Sequence, residues 1–420
     1  MPVSSSQPMP GEGRVFLFLQ GPSSLLFSDI ADNLARLGNT CLRINLNLGD
    51  QLFWRRKGGM AYRGRQKDWP AFINRFLDEN HVTDLVLLGE ERPYHRVACA
   101  AAARRNIDIA VVEMGYLRPD WIVLERTGMS SNSHFPADAD HILAAAKHLE
   151  EPDFTRRYIQ TFTREALSDL AYNLPAALGW FAYPHYRFHG LYHPLLEYAG
   201  WVRKALRKRH TVVLDRSAPT FLYPLQLQTD FQLRAHSPFG DQQAAIDLVL
   251  ESFARSAPAD AILIVKQHPL DPVLFDWETY IHEKAQALAI ATRVRFADGG
   301  ALDPMIAVSR GVVTVNSTVG LTALRAGKPV RVLGCAVFDV PGLTDQQPLD
   351  QFWQNPLPPD ADLCAAFIRL IAASIHVRGN FYSRDGVRNA ARDIALRLHT
   401  NTVNQPGGYV ADLPRKQPKK

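Results

Sequence analysis

The organisation of this chain is clearest in the stretch Ile262-Leu263-Ile264-Val265-Lys266-Gln267-His268-Pro269. Its first four residues form a short apolar run, which is typical of a buried strand in a parallel sheet. Lys266 and His268 therefore follow the carboxyl end of the predicted strand, where open α/β sheets bind ligands. The stretch predicts both an α/β fold and a ligand-binding loop.

A second strand and loop of the same kind follow further along the chain. Val312-Val313-Thr314-Val315 predicts a strand that leads into Asn316-Ser317-Thr318, a natural N-cap, and then into a helix over 319–326. Hydroxyl and backbone N–H groups at a helix N-terminus favour a phosphate by hydrogen bonding and by the helix dipole. The two loops together predict the anion-binding half of a nucleotide-sugar transferase. In the simpler alternative, the lysine is a surface residue, the histidine is a core residue and the hydroxyls only cap the helix.

Alternation of strand and helix patterns extends this interpretation to the whole chain. We predict a GT-B-like α/β fold, in which two Rossmann-like domains face each other across a cleft and are joined by a helical connector. Among its strands we expect one over 212–215. The predicted parts are a flexible N-terminus at 1–13, an N-terminal domain at 14–136, the connector at 137–210, a C-terminal domain at 211–375, and a return segment with a basic tail at 376–420.

Composition is that of an ordinary globular protein. The chain has 420 residues, 46% hydrophobic and 21% charged, which favours two domains. No apolar run of membrane-spanning length is present, and residues 1–13 lack a signal-peptide core, so we expect a cytoplasmic protein. The four cysteines are far apart, which indicates reduced thiols rather than disulfides or a metal site: Cys41, Cys99, Cys335 and Cys364.

The net charge of +5 is unevenly distributed. Five cations lie between Trp201 and His210, and the C-terminus is also basic, with Arg415 and three lysines at 416–420. Such clusters, beside aromatic residues such as Trp180 and Phe181, predict an anionic membrane surface as a partner. The alternatives are a solvated helix face, a disordered tail and aromatic core packing. Nucleic acid is not expected, because no nucleic-acid-binding module accompanies the charge.

Several motifs, in this order and spacing, resemble one known family. They lie at 43–45, 91–95, 113–120, 226–230, 266–269 and 315–320. The chain resembles the capsule polysaccharide biosynthesis and export family, and within it the KpsS/LipB type of β-Kdo transferase. That resemblance implies retaining transfer of the first Kdo residue from CMP-Kdo to lysophosphatidylglycerol, which starts the poly-Kdo linker of a capsule.

The resemblance implies a role for each candidate residue on the donor side. Retention by double displacement needs a carboxylate nucleophile, and Asp230 is the best candidate. Gln226 and Gln228 would bind the donor sugar. Lys266 and His268 would bind the CMP phosphate together with Asn316, Ser317 and Thr318. Alternatively, Asp230 caps a helix or turn.

On the acceptor side, the resemblance makes Glu113 the general base for the acceptor hydroxyl. The family often has an acidic residue where this chain has Met114, which weakens a scheme with two carboxylates at that point. In the structural alternatives, Glu113 only pairs with Arg92 or Arg118, and His95 contacts only solvent. The other implied sugar-binding or acceptor-binding residues are Gln20, Gly21, Arg92, His95, Tyr116 and Arg118.

We expect no cofactor and no metal, because no HExxH motif and no Cys/His ligand spacing is present. A leaving group with a single phosphate also needs less charge neutralisation than a diphosphate. The resemblance further implies a location on the inner face of the cytoplasmic membrane, with a capsule-assembly transferase and an ABC exporter as partners. Two alternatives stay open: a non-catalytic scaffold that binds glycolipid for export, and a GT-B enzyme that uses another nucleotide sugar.

Overall fold

The computed structural model describes residues 13–206, 210–214, 217–413 and 415, with Gln232 described by its backbone alone. Its strands are β1 Val15–Phe18, β2 Thr40–Asn45, β3 Gly59–Ala61, β4 Asp84–Leu88, β5 Asp108–Met114, β6 Trp121–Arg126, β7 Thr220–Pro224, β8 Ile262–Lys266, β9 Val294–Ala297, β10 Gly311–Thr314, β11 Val330–Val332 and β12 His376–Arg378. Mixed α/β structure with parallel sheets is thereby confirmed.

The helices lie between these strands, as the sequence pattern predicts for β-α-β units. They are α1 Leu26–Arg36, α2 Leu48–Leu52, α3 Trp69–Glu79, α4 Pro93–Ala103, α5 Ala139–Ala146, α6 Phe162–Leu178, α7 Pro194–Ala205, α8 Phe231–Ala235, α9 Gln242–Ser256, α10 Trp277–Ala287, α11 Leu302–Val308, α12 Thr318–Arg325, α13 Leu349–Gln354, α14 Ala361–Ser374 and α15 Arg384–His399.

The described chain forms two compact units. Unit 1 contains the described parts of Met1–Phe135, His148–His189 and Arg369–Asp412. Unit 2 contains those of Pro136–Lys147, Gly190–Ile368 and Leu413–Lys420. The region 137–210 contains α5, α6 and α7, which are separated by non-helical segments at 149–161 and 184–193, and these helices are divided between the two units.

Unit 1 contains a seven-stranded sheet in the order β12-β6-β5-β4-β1-β2-β3. The five strands β1 to β5 are parallel, and β6 and β12 extend the sheet with antiparallel pairs. The parallel part has the Rossmann strand order, which reverses between β1 and β4. We call that place the switch point of unit 1.

The core of unit 1 includes α15, which comes from the C-terminal part of the chain. The apolar face of α1, with Ile30 and Leu34, packs against Ala391 and Ile394 of α15. Because this face would otherwise be exposed to water, its burial holds the returning segment on the N-terminal sheet. Unit 1 is therefore closed by residues from both ends of the chain.

Unit 2 contains a five-stranded parallel sheet in the order β11-β10-β7-β8-β9. This is again the Rossmann order, and its switch point lies between β7 and β10. Phe221, Val249 and Val265 lie in a core that also buries Trp353 fully. The two units thus repeat one topology.

One predicted strand is absent. The prediction of a strand over 212–215 was wrong for 212–214, which form neither strand nor helix, while residue 215 lies outside the described part. Val213 is 91% exposed. A β-branched apolar run becomes a strand only where a neighbouring strand takes its hydrogen bonds.

Candidate functional site

Three neighbouring parallel strands of unit 2 bring the predicted donor residues to one edge. β7 lies between β8 and β10, and the loops after all three strands start at the same edge of the sheet. The loops after β7 and β10 carry Gln226 and Asn316, and Lys266 is the last residue of β8. The structure therefore brings the predicted donor loops together at the switch point, where α/β sheets bind ligands.

Two amides bridge that switch point. The Gln226 Nε2 donates to Asn316 Oδ1 at 2.7 Å, and the Asn316 backbone N–H donates to Gln226 Oε1 at 3.1 Å. Asn316 Nδ2 also donates to the His236 carbonyl at 3.3 Å. Both side chains are buried, so this pair fixes the spacing of the two loops.

Ser317 is the N-cap of α12, as its position predicts. Its Oγ accepts from the Val319 N–H at 3.3 Å, and its own N–H donates to Thr314 Oγ1 at 3.0 Å. Thr318 is the first residue of the helix, and both residues are half-buried. Capping and phosphate binding are compatible, because a helix N-terminus has more N–H groups than one cap can satisfy.

His268 follows β8, as predicted, whereas Lys266 is the last residue of the strand rather than the first residue after it. Lys266 is buried, and its Nζ donates to the Gln267 carbonyl at 3.3 Å. His268 is half-buried, and its Nδ1 accepts from the Leu270 N–H at 3.1 Å. The ring orientation is thereby fixed by the loop itself.

Helix α7 holds this loop from outside, a feature that the sequence did not predict. Lys204 Nζ donates to the carbonyls of Pro269 at 2.8 Å and of Asp271 at 3.0 Å. Trp201 Nε1 donates to the Leu270 carbonyl at 3.1 Å, and Arg203 donates to the Val273 carbonyl. We call these three side chains the α7 clasp.

The α7 clasp changes the interpretation of the basic cluster. Two of its five cations, Arg203 and Lys204, bind backbone carbonyls of unit 2, a role that neither the membrane-surface prediction nor its alternative included. The other three, at 207–209, and the C-terminal lysines at 416–420 lie outside the described residues.

Asp230 precedes the short helix α8. Its carbonyl accepts from the Arg234 N–H at 3.2 Å, and its N–H donates to the Leu227 carbonyl at 3.0 Å. The backbone of Asp230 therefore begins the helix, as the structural alternative expected, while its side chain is half-buried rather than enclosed. Gln228 Oε1 accepts from the Gln242 N–H at 3.0 Å, which links this loop to α9.

Glu113 lies near the end of β5 in unit 1. Its Oε1 accepts from the Met114 N–H at 3.0 Å, and its Oε2 lies against Gly89 at the end of β4. Burial raises the pKa of Glu113, while the Met114 hydrogen bond and the charges of Arg92 and Arg118 lower it. Within the described residues, Glu113 forms no ion pair with either arginine, so the carboxylate is suited to accept a proton.

Gln20 and Gly21, which were predicted to bind the sugar or the acceptor, follow β1 at the switch point of unit 1. Both contact other side chains of this unit. Gln20 Nε2 donates to Tyr172 Oη at 2.6 Å and to Tyr186 Oη at 3.2 Å. Gly21 has the Phe27 ring where a Cβ would lie. These contacts favour a structural role for Gln20 and Gly21 over contact with a sugar.

His95 is fully buried rather than solvent-facing, so the alternative of a ring exposed to water was wrong. Its Nδ1 bonds the carbonyls of Leu88 at 3.1 Å and Gly89 at 2.8 Å. Burial lowers the pKa of His95 to about 3, so the ring is neutral. His95 therefore holds the loop after β4, which carries Arg92 at the N-cap of α4.

Tyr116 is likewise buried. Its N–H donates to His376 Nε2 at 2.9 Å, and its Oη donates to Glu125 Oε1 at 3.0 Å. Arg118, two residues on, is exposed and lines a cavity of unit 1 with Arg156. Of the predicted acceptor-side residues, Arg118 is thus placed for contact with a ligand and Tyr116 for support.

Two Asp-x-Asp tripeptides resemble the metal-binding pairs of some transferases. Asp138 Oδ1 accepts from the His141 N–H at 2.8 Å, and Asp360 Oδ1 accepts from the Leu363 N–H at 2.8 Å. Each aspartate caps a helix, α5 or α14, which accounts for both tripeptides without a metal.

Comparison with known proteins shows the family of this chain. The model of the capsule polysaccharide biosynthesis protein family matches residues 83–382. The chain belongs to this family. The resemblance carried by its sequence motifs is thereby confirmed.

Relatives extend the match over most of the chain. The Escherichia coli capsule polysaccharide export protein KpsS is 29% identical over 384 residues, 88% of this chain and 97% of that protein. The capsule polysaccharide modification protein LipB of Neisseria meningitidis serogroup A is 30% identical over 386 residues, 88% of this chain and 91% of that protein. A solved structure described as Thermosulfurimonas dismutans KpsC, beta Kdo 2,7 transferase, matches at 14% identity and a TM-score of 0.47, with 92% of this chain and 99% of that chain covered.

Among the described residues, no helix is both long and apolar enough to cross a bilayer.

Proposed function

We propose that this protein is a retaining glycosyltransferase that transfers the first β-Kdo residue from CMP-Kdo to lysophosphatidylglycerol. The product would start the poly-Kdo linker of a capsular polysaccharide. The observation that carries the proposal is the meeting of three polar loops at the switch point of unit 2 in a member of the capsule biosynthesis family.

In this proposal, unit 2 binds the donor. The CMP phosphate lies at the N-terminus of α12, where Ser317, Thr318 and the helix dipole stabilise negative charge. His268 donates to the same phosphate, and Lys266 offsets its charge. These groups do the work that a divalent cation does in other transferases, so we expect activity without added metal.

The proposed chemistry has two displacements. In the first, an Asp230 oxygen forms a bond to the anomeric carbon of Kdo, and the bond from that carbon to the phosphate oxygen breaks, so CMP leaves with the electron pair. In the second, the acceptor hydroxyl attacks the same carbon and displaces Asp230. Glu113 takes the hydroxyl proton, and its raised pKa suits it to that role. Two inversions give overall retention.

The acceptor sets the proposed location. A lipid with a single acyl chain is only weakly anchored, so an enzyme that uses it benefits from lying on the membrane. We place the protein on the inner, anionic face of the cytoplasmic membrane, beside the transferase that extends the linker and the ABC exporter that removes the product.

The test is CMP release from CMP-Kdo with lysophosphatidylglycerol, without added divalent metal, for wild type and Asp230→Asn. Mass spectrometry then identifies the lipid product. We expect one Kdo residue per lipid with wild type and none with the variant. Absence of turnover in a folded protein that still binds glycolipid would favour an export scaffold, and turnover with CMP-sialic acid or a UDP-sugar instead would favour another donor.

A further inference from the structure

One side of helix α6 is both exposed and apolar. At about 3.6 residues per turn, positions 167, 170, 171, 174 and 178 lie on the same side of the helix. The four leucines among them are between 37% and 66% exposed. We call this surface the α6 face, and its members are Leu167, Leu170, Ala171, Leu174 and Leu178.

The opposite side of α6 is fixed within unit 1. Tyr172 and Ala176, on that side, are buried, and Tyr172 Oη donates to Asp50 Oδ1 at 2.9 Å. At Gly179, which directly follows the helix, a Cβ would lie 2.7 Å from the Leu48 Cβ of α2. These contacts hold α6 against α2, so the α6 face is kept on the outside of unit 1.

The carboxylates of α6 also lie on the side opposite to the α6 face. Glu165 accepts from Gln160 Nε2 at 3.0 Å, and Asp169 Oδ1 accepts from Asn173 Nδ2 at 2.9 Å. Both acids are half-buried. The helix therefore turns its negative charges away from any partner that contacts the α6 face.

The exposed charges next to the α6 face are positive. Arg164 lies one helical turn before Leu167 on the same side of α6 and is exposed. After Asp169, no Asp or Glu occurs in the sequence before Glu197, whereas Arg187 lies in this stretch and is exposed. An apolar surface with cations beside it is complementary to an anionic lipid surface.

Two exposed aromatic side chains extend the α6 face at its C-terminal end. Phe181 lies three residues after Leu178 in a short 3-10 helix, Gly179–Phe181, and is 70% exposed. Trp180 is 72% exposed, and its ring packs edge-on against the Phe181 ring with centroids 6.3 Å apart. Exposed tryptophan is typical of membrane interfaces, because its ring is apolar while its N–H can bond to water or headgroups.

We propose that the α6 face docks on an anionic lipid bilayer, with α6 lying parallel to the membrane plane. This inference rests on the membrane location given in the proposed function, for which it assigns the surface that makes the contact. Leucine, phenylalanine and tryptophan on one side of a helix enter the boundary between headgroups and acyl chains to about 5–10 Å. The 17 residues of α6 extend for about 25 Å along that boundary.

This surface differs from the one that the basic cluster at 201–210 predicts. Arg203 and Lys204 of that cluster bind backbone carbonyls of unit 2. Docking through the α6 face depends mainly on apolar burial, which salt does not screen. The two surfaces can therefore be distinguished by the salt dependence of membrane binding.

The test is co-sedimentation of the full chain with vesicles of phosphatidylglycerol and phosphatidylcholine in equal parts. The double change Leu167→Ser with Leu174→Ser should lower the vesicle affinity by about tenfold or more, because two apolar side chains are lost from the bilayer contact. The control double change, Leu248→Ser on α9 with Leu396→Ser on α15, alters leucines that are 42% and 53% exposed and should leave the affinity unchanged. Thermal unfolding checks that both double variants are folded.

Two further measurements test how the α6 face binds. Wild-type affinity should change by less than about threefold in high salt, where the Debye length is about 3 Å. Lipids that are brominated on their acyl chains should quench tryptophan fluorescence in wild type, and Trp180→Phe should lose most of this quenching.

Unchanged vesicle affinity in the Leu167→Ser, Leu174→Ser variant would overturn the inference. Loss of wild-type binding in high salt would assign the membrane contact to basic residues instead. If wild type does not bind vesicles and the same double change converts a multimer into a monomer, the α6 face is a protein interface and the bilayer is the wrong partner.

CMP release is measured separately with monomeric lysophosphatidylglycerol, which needs no bilayer. Vesicle binding through the α6 face without CMP release from CMP-Kdo would sink the proposed function and leave the docking surface standing. CMP release by a wild-type protein that does not bind vesicles would have the opposite meaning.

Discussion

The sheets of the two units have the same strand order, but their switch points differ in how far protein side chains fill them. In unit 1 the place between β1 and β4 is filled by the protein itself: Arg43 donates to Asp50 Oδ1 at 2.9 Å, and Tyr172 Oη joins Asp50 to Gln20. All four side chains are buried. Buried side chains that already make hydrogen bonds within the protein are poorly placed to bind a ligand.

In unit 2, the base of the switch point is closed by the bridge between Gln226 and Asn316. Above it, Asp230, His268 and Ser317 are half-buried. Topology therefore predicts where an α/β unit can bind a ligand, and side chains decide whether the place is available. From this comparison we expect changes in the buried network of unit 1 to alter stability and changes at the switch point of unit 2 to alter donor binding.

Of these changes, the largest effect on activity is expected from Glu113. This residue lies in unit 1 but outside its buried network, and the proposed function makes it the general base. Glu113→Gln should lower kcat by about 10²- to 10⁴-fold, as for loss of a general base. In wild type, the rate should fall as pH is lowered through the pKa of Glu113, which burial raises above its ordinary value of 4.5. A rate profile against pH checks this expectation. If Glu113→Gln has the wild-type rate and the same fall in rate at low pH, another group is the base.

Breaking the buried network should cost stability. Asp50→Ala leaves the Arg43 guanidinium buried without its partner, so the free energy of unfolding should fall by about 3–5 kcal/mol. Denaturant unfolding measures the change. Asp78→Ala, which breaks an exposed pair with Arg105, should cost much less, because solvent screens the pair. Equal losses in the two variants would contradict the structural role of the network.

At the switch point of unit 2, the same logic predicts weaker donor binding with little loss of stability. His268→Gln should weaken CMP binding by about tenfold, because one hydrogen bond to the phosphate is lost. His282→Gln on the exposed face of α10 is the control. Titration calorimetry with CMP checks the result, and equal affinity in wild type and His268→Gln would place the phosphate elsewhere.

The smallest effect should come from the α7 clasp, which acts through the loop it holds. Lys204→Gln should raise the KM for CMP-Kdo by about two- to tenfold with little change in kcat. Lys328→Gln, which removes a comparable bond to the Ala307 carbonyl, should leave KM unchanged. If both variants behave alike, the clasp does not position His268.

Strands with strong local signals were predictable from the sequence, and so was the edge of the unit 2 sheet at which the proposed donor residues meet. The apolar run before Lys266 forms β8, and the run before Asn316 gives β10 one residue earlier than predicted. These signals are local, because a buried parallel strand must be apolar along its whole length. The N-cap role of Ser317 was visible for the same reason.

Contacts between distant parts of the chain were not predictable in this way. β12 has three residues and exists because β6 pairs with it across the chain. The α7 clasp depends on backbone carbonyls, which no sequence pattern identifies. For Gln20, the motif indicated contact with a ligand, and only the fold brings Tyr172 to its amide.

By itself, the sequence determined the class of the fold, the strands that lead to the donor loops and the family, because each is recorded in local periodicity or in motifs. The tertiary structure alone decided which side chains fill the switch point of unit 1 and which cations hold a loop. The physical reason is that a polar side chain takes its role from the partners that folding brings to it, and those partners are distant in the chain.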